Sequence, residues 1–526
     1  MSDIHPLLYC PVCKGTNVEK RGYSEGEVPK QRLVCKDCPK WFQLELRYRK
    51  EDSWELTKDQ IKELLGTAET YIITCAQNNT PLDRKFWRAL RNLAELYGAQ
   101  LLVIPVMYRN PNKIAELETG EAWWPEEVIP HLIGNNFQLC KGLQILGGAG
   151  VTATAPNPLS GMETITRGDS AIVGHSQIQQ RVIATPQHSF PKIMLTTGSV
   201  SVKNYSKKKT GLKAAHHHSL GAVVVEKEKD FFHIRSIVGD DRSECYDLDV
   251  HATAEGVRYL DRIDGLVTGD EHHRFHCADV RRATFDAPDS IVKVLRPRKI
   301  VRHDIIDSYS ISHHHRGKPA TNYEKWLNGT NSLEAELKLT AQFLEETTPP
   351  DCENVIIASN HHEHISRWLD EGDPKTEPWN AILFHELSAA RLRHIRDRKG
   401  HFEPLSYWMG ENCSAPCVFV KRFDKHIIQG ILVSMHGDKG NNGARGSLAG
   451  LSKMGVKTVV GHTHTPAIEK GCYVVGTSSI RDLEYSKDGP SSWLNTHCLI
   501  FPNGKRQLVN IIRGQWRKNR SLKNAA

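Results

Sequence analysis

Apolar runs alternate with polar, histidine-rich segments through the C-terminal half of the chain. Five strand-sized runs are each followed at once by a polar loop, in the segments GLVTGDEHH, KIVRHDIID, NVIIASNHHEH, ILVSMHGDKG and TVVGHTH. Segments with helical spacing, such as residues 332–346, lie between them. Strands that alternate with helices predict a layered α/β fold. In such folds, ligands bind beyond the carboxyl ends of the strands, where these polar loops fall.

The region before it contains a strand–helix–strand pattern. YIITCA from Tyr71 and QLLVIPVMY from Gln100 are typical of buried strands, and residues 83–97 between them have helical apolar spacing. A short helix with Thr57 as its N-cap precedes this unit. Farther on, LGAVVVEKEKDFFHIRSIV predicts a hairpin that turns at residues 227–230. The strand-then-loop order also raises the alternative that this region is a degenerate copy of the C-terminal one, without its metal ligands.

The chain is long enough for several domains, since 526 residues exceed the size of one compact core. The patterns divide it into four parts: a cysteine-rich segment (1–50), an α/β middle domain (51–260), a C-terminal domain (261–512) and a basic tail (513–526).

Composition is that of an ordinary globular protein, with 39% hydrophobic and 25% charged residues. No run of about 18 apolar residues occurs, which argues against a membrane span, and the N-terminus lacks the pattern of a signal peptide. The 13 cysteines favour reduced thiols and metal ligation in a cytoplasmic compartment. The net charge of +8, with basic stretches at 203–213 and in the tail, permits nucleic-acid binding, although solvated loops would look the same.

Two C-x-x-C pairs lie close to the N-terminus. Cys10 and Cys13 form the first pair, and Cys35 and Cys38 form the second. This spacing is close to that of a four-cysteine zinc site, and a segment this small needs such a site to hold a fold. We therefore predict a zinc ribbon with one structural Zn²⁺. Basic residues between the pairs favour contact with nucleic acid; contact with protein or a purely structural role is the alternative.

The five polar loops of the C-terminal half carry side chains suited to metal chemistry. In chain order these are Asp270 with His272, Asp304, Asn360 with His361, His436, and His462 with His464. Imidazole, carboxamide and carboxylate groups are metal ligands, and a carboxylate can bridge two cations. Each piece alone is a weak signal, because a single strand-end histidine or aspartate more often makes a hydrogen bond or caps a helix. Their shared placement and their order are more specific.

The order D-x-H, D, N-H, H, G-H-x-H resembles that of the calcineurin-like metallophosphoesterase superfamily, which includes double-strand-break-repair nucleases, phosphodiesterases and protein phosphatases. The resemblance covers residues 262–512 and implies a four-layer α/β/β/α sandwich. Two positions depart from the family pattern, since His303 and Ser359 stand where glycine usually precedes the Asp and the Asn. Both changes alter backbone freedom at a turn without removing a ligand.

The resemblance implies a site for two divalent metals, with Mn²⁺ first and Fe²⁺ or Zn²⁺ as alternatives. One metal would be held by Asp270, His272, Asp304 and His464, and the other by Asp304, Asn360, His436 and His462. Asp304 would bridge the two, and a metal-bridged hydroxide would attack the phosphorus. His361 would stabilise or protonate the leaving oxygen. Residues predicted to lie behind the ligands or along the substrate cleft are His303, Asp307, His315 and His362.

The layout of the whole chain is similar to that of pre-early proteins of T-five-like bacteriophages, which take part in host-DNA degradation and DNA transfer. The likeness rests on ITCAQNNTP, on VIPVMYRNP and on the order of the domains. It implies a Mn²⁺-dependent DNase in the host bacterial cytoplasm, with DNA as partner, a host protein as a further candidate partner, and a homo-oligomeric state. A phosphatase or small-nucleotide phosphodiesterase is the alternative enzyme. A takeover protein that binds DNA or a host factor is the non-enzymatic alternative.

Overall fold

A computed structural model of the chain describes residues 12–13, 18–23, 31–44, 56–108, 124–186, 189–422, 424–483 and 489–518. The strands in these ranges are β1 (Val18–Tyr23), β2 (Gln31–Cys35), β3 (Trp41–Leu44), β4 (Thr70–Gln77), β5 (Gln100–Val106), β6 (Asn136–Cys140), β7 (Leu143–Leu146), β8 (Ser170–Val173), β9 (Gln179–Ile183), β10 (Lys192–Thr196), β11 (Gly221–Lys227), β12 (Phe232–Val238), β13 (Cys245–Asp247), β14 (Val250–Thr253), β15 (Gly256–Tyr259), β16 (Gly265–Val267), β17 (Lys299–Arg302), β18 (Glu353–Ile357), β19 (Cys417–Val420), β20 (Ile427–Ile428), β21 (Ile431–Leu432), β22 (Thr458–Val460), β23 (Ala467–Glu469), β24 (Cys472–Val474), β25 (Thr496–Ile500) and β26 (Arg506–Asn510). The α-helices are α1 (Lys58–Leu65), α2 (Arg84–Tyr97), α3 (Lys209–His217), α4 (Ala278–Arg281), α5 (Ile291–Leu295), α6 (Pro319–Leu327), α7 (Leu333–Thr347), α8 (Asn360–Glu371), α9 (Ala381–Arg396), α10 (Pro404–Asn412) and α11 (Leu448–Leu451).

Within the described ranges the strands form sheets of three, ten, four, three and six strands. Their orders are β1-β2-β3, then β20-β21-β22-β24-β23-β9-β10-β8-β7-β6, then β12-β11-β4-β5, then β13-β14-β15, and β19-β18-β17-β16-β25-β26.

The six-stranded sheet forms the frame of the C-terminal half. Its strands β16 to β19 are parallel, and β25 and β26 extend it with antiparallel pairs. One face packs on the ten-stranded sheet through a core that includes Val267, Val355 and Val459. Phe343 of α7 belongs to the core on the other face, and α11 packs on β22 and β24 through Leu451. The mixed α/β class that the alternation predicts is confirmed.

Several local predictions are also confirmed. The helix α2 connects the parallel strands β4 and β5, as the strand–helix–strand pattern predicts. The strands β11 and β12 form the predicted hairpin, with Lys227 paired with Phe232. Thr57 caps α1, where its hydroxyl accepts the backbone N–H of Gln60 at 3.3 Å. The helix predicted over residues 332–346 is α7, and its N-cap is Ser332, whose hydroxyl accepts the backbone N–H of Ala335.

Strands from both sides of residue 260 share the ten-stranded sheet. β6 to β10 come from the middle region, and β20 to β24 come from the C-terminal region. The two sets join where β9 and β23 run antiparallel, with Gln180 opposite Ile468 and Gln179 opposite Glu469. The predicted division at residue 260 therefore separates two regions that share backbone hydrogen bonds.

None of the helices in the described ranges is both long and apolar enough to cross a membrane.

Candidate metal centre

The loops after β16, β17, β21 and β22 carry most of the predicted ligands, and their backbone is strained at the ligands themselves. Left-handed φ angles occur at His272 (39°), Asp304 (44°), His462 (74°) and His464 (56°). For a residue with a Cβ atom this conformation costs about 1–2 kcal/mol of free energy, and it persists only where the surrounding structure fixes it. Backbone strain of this kind is typical of functional sites.

The first group of ligands consists of Asp270, His272, Asp304 and His464, which are all buried. One ligand atom of each lies within 4.8 Å of those of the others. The Nε2 atom of His464 lies 3.1 Å from Oδ2 of Asp270 and 3.1 Å from Nε2 of His272. The same atom of His272 lies 3.7 Å from Oδ2 of Asp304. The structure thus brings together the four residues predicted to hold the first metal.

A second group consists of Asp270, His303 and His436. Nε2 of His436 lies 3.1 Å from Oδ2 of Asp304, and its Nδ1 lies 3.4 Å from Nδ1 of His303. The ring centroid of His462 lies 5.2 Å from that of His436, and His462 joins neither group. The Oδ2 atom of Asp304 therefore lies near one imidazole of each group, and Asp270 belongs to both groups.

The donor atoms of this site fit divalent cations. Buried polar atoms that make no hydrogen bond include Oδ1 of Asp270, Oδ1 of Asp304, Oδ1 of Asn360, Nε2 of His303 and Nδ1 of His464. A buried carboxylate oxygen without a partner is costly, so a site that retains several of them is expected to bind a positive charge. Mixed oxygen and imidazole donors suit Mn²⁺, Fe²⁺ and Zn²⁺ without selecting one of them.

Electrostatics keep the two central carboxylates ionised. Burial alone would raise the pKa of Asp304, but the nearby imidazoles of His436 and His361 hold it well below its ordinary value. Burial opposes ionisation of Asp270 as well, and the imidazoles of His436 and His464 lower the pKa of this carboxyl to about 2. Two anionic groups in a buried cavity are a strong attraction for cations.

Asp307 connects a predicted ligand with the predicted catalytic histidine. Its Oδ1 lies 2.9 Å from Nδ1 of His272, and its backbone carbonyl accepts from Nδ1 of His361 at 2.9 Å. Burial would lower the pKa of His272, but the bond to Asp307 and the charge of Asp304 raise it to about 9. The bonds at Nδ1 leave Nε2 of His272 free to face Asp304 and His464, and orient the ring of His361, whose centroid lies 4.6 Å from that of His272.

The third loop differs from the others because it opens directly into a helix. Asn360 and His361 are the first two residues of α8, and Ser359 is its N-cap, with its hydroxyl accepting the backbone N–H of His362 at 3.4 Å. Serine is a preferred N-cap residue, which accounts for its presence where the family pattern has glycine. The other departure has a different outcome, because the side chain of His303 enters the second ligand group.

Two further predicted residues belong to neither ligand group. His315 is buried and packs edge-on against the ring of Tyr309, with centroids 5.0 Å apart. His362 lines a small cavity beside α8 with Glu403 and Arg422, and burial lowers its pKa to about 3.

The cysteine-rich segment is described in part. The sulfur atoms of Cys13, Cys35 and Cys38 lie within 4.8 Å of one another beside the sheet β1-β2-β3. The Sγ atoms of Cys13 and Cys35 are 3.5 Å apart. Cys10, the fourth predicted ligand, lies outside the described residues. Three thiols this close could hold a metal, and their geometry does not select which one.

Three features of the site were not predicted, or not fully predicted, from the sequence. His303 was predicted to lie behind the ligands or along the substrate cleft, and it lies instead in the second ligand group. Trp493, which packs on His464 with ring centroids 4.2 Å apart, gave no signal in the sequence. His313, His314 and His364 form a compact group of their own, and only their proximity to the second and third loops pointed to it.

Comparison with known proteins finds a relative that aligns with most of the chain. The chain is 30% identical over 460 residues to Protein A1 of Escherichia phage T5, and the aligned part covers 85% of this chain and 82% of that protein. This confirms the predicted resemblance to a phage protein. No family model matches the chain, and the comparison with solved structures found no match.

Proposed function

The chain belongs to the family of Protein A1 from Escherichia phage T5, and from that premise we propose that it is a metal-dependent nuclease with a calcineurin-like metallophosphoesterase site. One observation carries the proposal: Oδ2 of the buried Asp304 lies 3.7 Å from His272 and 3.1 Å from His436, while its Oδ1 makes no hydrogen bond. A carboxylate that has one oxygen near two imidazole groups and a second oxygen without a hydrogen bond is suited to bridging two cations.

The predicted ligands would form two sets, each of which would hold one cation. Asp270, His272, Asp304 and His464, which lie together, would hold one cation. The other would be held by Asp304, Asn360, His436 and His462, as the superfamily resemblance implies, with His303, which lies with His436, as an added donor. When bound, a metal pair of this kind lowers the pKa of a shared water and neutralises charge on the phosphate.

His361 is half-buried beside His272 and carries no predicted ligand role. The carbonyl of Asp307 accepts the N–H of Nδ1, so Nε2 would donate a proton to the leaving oxygen from the imidazolium form of the ring, in which both nitrogens carry a proton. General acid catalysis of this kind contributes about 10²–10⁴-fold to a rate. No covalent bond between the protein and the phosphate is needed.

A cleft beside the second ligand group supports a nucleotide-sized substrate. The cavity has a volume of about 830 Å³, and its lining includes His436, Lys421, Arg422 and Lys439. Arg422 is paired with Asp438 at 2.5 Å, which fixes one wall. The lining also contains the acidic residues Glu363, Glu403, Asp424 and Asp438, so the charge of the cleft does not by itself select a polyanion.

DNA is the proposed substrate, and the infected bacterium is the proposed setting. The net charge of +8 and the phage relative favour a protein that acts in the host cytoplasm early in infection, on host DNA and in aid of DNA transfer. We propose that the cysteines form a zinc ribbon, with Cys10 as the fourth ligand. Contact with a host protein and a homo-oligomeric state remain predictions.

Hydrolysis of supercoiled plasmid DNA and of p-nitrophenyl phosphate, each with Mn²⁺ and with EDTA, tests the proposal. We expect Mn²⁺-dependent cleavage of DNA that is abolished by EDTA and reduced at least 100-fold in the variants Asp304→Asn and His361→Ala. Hydrolysis of the small ester alone would favour the phosphatase alternative. Full biological activity of His361→Ala would favour the non-enzymatic alternative.

A further inference from the structure

The middle region repeats the strand topology of the C-terminal region. In the first, β4 and β5 are parallel, and β11 and then β12 add to β4 with antiparallel pairs. In the second, β16 and β17 are parallel, and β25 and then β26 add to β16 in the same way. The strands also occur in the same order along the chain. Within the described ranges, β18 and β19 have no counterpart in the middle region.

The ten-stranded sheet shows the same repetition on both sides of its centre. The strands β6, β7, β8, β10 and β9 follow one another with antiparallel, parallel, parallel and antiparallel pairs. The strands β20, β21, β22, β24 and β23 follow one another in the same pattern. The two sets meet through corresponding strands, β9 and β23, which run antiparallel. This arrangement is that of two copies related by an approximate two-fold axis.

Individual hydrogen bonds at the strand ends correspond as well. Cys75 forms a parallel bridge with Ser199, as Asp270 does with Thr477. The hydroxyl of Ser199 donates to the carbonyl of Cys75 at 3.1 Å, and that of Thr477 donates to the carbonyl of Asp270 at 3.0 Å. The segment IVGHSQ at 172–177 occupies the place of VVGHTH at 459–464.

These correspondences identify the counterparts of six predicted ligands. Counted from the paired strands, Asp270 corresponds to Cys75, His272 to Gln77, Asp304 to Ile104, His436 to Gly148, His462 to His175 and His464 to Gln177. Both aspartates are lost, and a cavity of about 190 Å³ with Ile104, Gly148 and Gly174 in its lining lies where the metal centre would be.

We infer that residues 70–238 are a second copy of the fold of residues 265–510 that has lost its metal centre, so each chain pairs one metal-binding copy with one that binds no catalytic metal. Without a carboxylate, the first copy offers a divalent cation the imidazole of His175, neutral carboxamides and the buried thiol of Cys75, which donates to the carbonyl of Gly198 at 3.0 Å. The corresponding histidines give a matched pair of variants, His175→Asn and His462→Asn.

Mn²⁺ bound per chain, measured by equilibrium dialysis with zinc counted separately, tests the inference. His462→Asn is expected to lower the Mn²⁺ content and His175→Asn to leave it at the wild-type value. Loss of Mn²⁺ from His175→Asn would overturn the inference. If neither variant loses Mn²⁺, the result would contradict the proposed metal centre and therefore also the inferred difference between the two copies. Because His175 is buried and its variant could misfold, a crystal structure of the wild-type protein with Mn²⁺ provides a second test. Poor superposition of the paired strands, or Mn²⁺ beside His175, would overturn the inference.

A separate group of histidines lies next to His361. The ring nitrogens of His313, His314 and His364 are within 4.8 Å of one another, and the ring centroid of His364 lies 5.1 Å from that of His361. The Nδ1 atoms of His313 and His364 are buried and make no hydrogen bond.

The hydrogen bonding of this group favours an anion over a cation. Arg367 donates to Nε2 of His313 at 2.8 Å, and since arginine can only donate, a neutral His313 must carry its proton on Nδ1. That buried N–H is a donor without a hydrogen-bond acceptor. No carboxylate belongs to the group itself; acidic side chains that act on it, such as Glu371 at His313 and Asp307 at His364, lie outside it, and the guanidinium of Arg367 adds a positive charge.

On the basis of the proposed function, we propose that His313, His314, His364 and Arg367 bind the phosphate next to the scissile one on a nucleic-acid strand. This subsite would let the protein distinguish a polynucleotide from a phosphomonoester or a short diester, because only a polynucleotide supplies the second phosphate.

Steady-state kinetics on a DNA oligonucleotide and on bis(p-nitrophenyl) phosphate test this subsite. We expect His314→Ala and Arg367→Ala to raise KM for DNA about tenfold, which corresponds to about 1.4 kcal/mol, and to change the ratio of kcat/KM between the substrates by a similar factor. His385→Ala, an exposed histidine on α9, should leave that ratio at the wild-type value. Equal losses on both substrates, or loss of a bound Mn²⁺ from His314→Ala, would overturn the subsite. Failure of the wild-type protein to hydrolyse either substrate would instead contradict the proposed nuclease.

Discussion

Asp307 shows how one residue can position two histidines with different proposed tasks, one through its carboxylate and one through its backbone carbonyl. Its side chain fixes His272, a proposed ligand, and its backbone carbonyl fixes His361, the proposed acid. The sequence predicted a supporting position for Asp307 because it follows Asp304 by three residues. Its two partners were not predictable, because they depend on the left-handed turn at Ser308 (φ 56°) and on the start of α8.

Replacement of Asp307 by asparagine tests this role. Asp307→Asn should lower kcat and Mn²⁺ affinity by about 10- to 100-fold each, as is usual when the partner of a ligating histidine is removed. Circular dichroism should show an unchanged fold. Asp370→Asn, an exposed position on α8 that pairs with Arg391, is the control and should retain wild-type kinetics. Wild-type Mn²⁺ affinity in Asp307→Asn would contradict the assignment.

His497 is expected to make stability depend on pH. It accepts the backbone N–H of Gly269 at Nδ1, and its Nε2 lies 2.9 Å from the hydroxyl of Thr284. Burial lowers its pKa to about 3, below the ordinary value of about 6.5. The unfolded chain therefore takes up this proton first, and the free energy of unfolding should fall as pH drops from about 6.5 toward 3, by up to about 1.4 kcal/mol per pH unit.

Urea unfolding of the wild-type protein and of His497→Gln between pH 7 and pH 4 measures this contribution. In the variant, the free energy of unfolding should depend less steeply on pH, by up to about 1.4 kcal/mol per pH unit. An identical slope in both proteins would show that His497 is not the responsible group.

The turn after β22 is the element on which the first ligand group depends most closely. Gly461 lies so near Asp270 that an added Cβ atom would stand 2.1 Å from its Oδ1 and 3.2 Å from Cγ of His303. The G-H-x-H pattern was predictable from sequence because it follows an apolar run directly. The reason for its glycine was not, since the contact joins segments almost 200 residues apart.

Gly461→Ala is therefore expected to displace Asp270 and to destabilise the protein by about 1–3 kcal/mol. Mn²⁺ binding should be lost even where the variant folds. Gly410→Ala, in α10 with no atom near the added Cβ, should be neutral or stabilising, because alanine is the better helix former. Thermal unfolding and Mn²⁺ titration of both variants provide the measurement; undiminished Mn²⁺ binding by Gly461→Ala would contradict the proposed geometry.

At the scale of the whole molecule, the two regions are held together by more than the shared sheet. Gln507 of β26 donates to the carbonyl of Ser236 at 3.0 Å and to Asp247 at 2.9 Å. Val238 and Ile178 of the middle region contribute to the core of the C-terminal region. Apolar periodicity predicted the strands of both regions and could not predict this sharing, because the pairing of distant strands leaves no local pattern in the sequence.

A fragment of residues 261–526 should accordingly fold poorly. Removal of the middle region exposes the edge of β23 and one side of the core, and exposed strand edges favour aggregation. We expect a fragment that is largely insoluble or unfolds well below the full-length protein. Cooperative unfolding at the full-length temperature would show that the C-terminal region is independent.

The metal pair at Asp304 is the central claim, and anomalous X-ray scattering from crystals grown with Mn²⁺ tests it most directly. The predicted result is two peaks about 3.5–4 Å apart, one between His272 and His464 and the other beside His436, with the carboxylate of Asp304 between them. A single peak, or no peak within ligand distance of Asp304, would contradict the proposed dinuclear site.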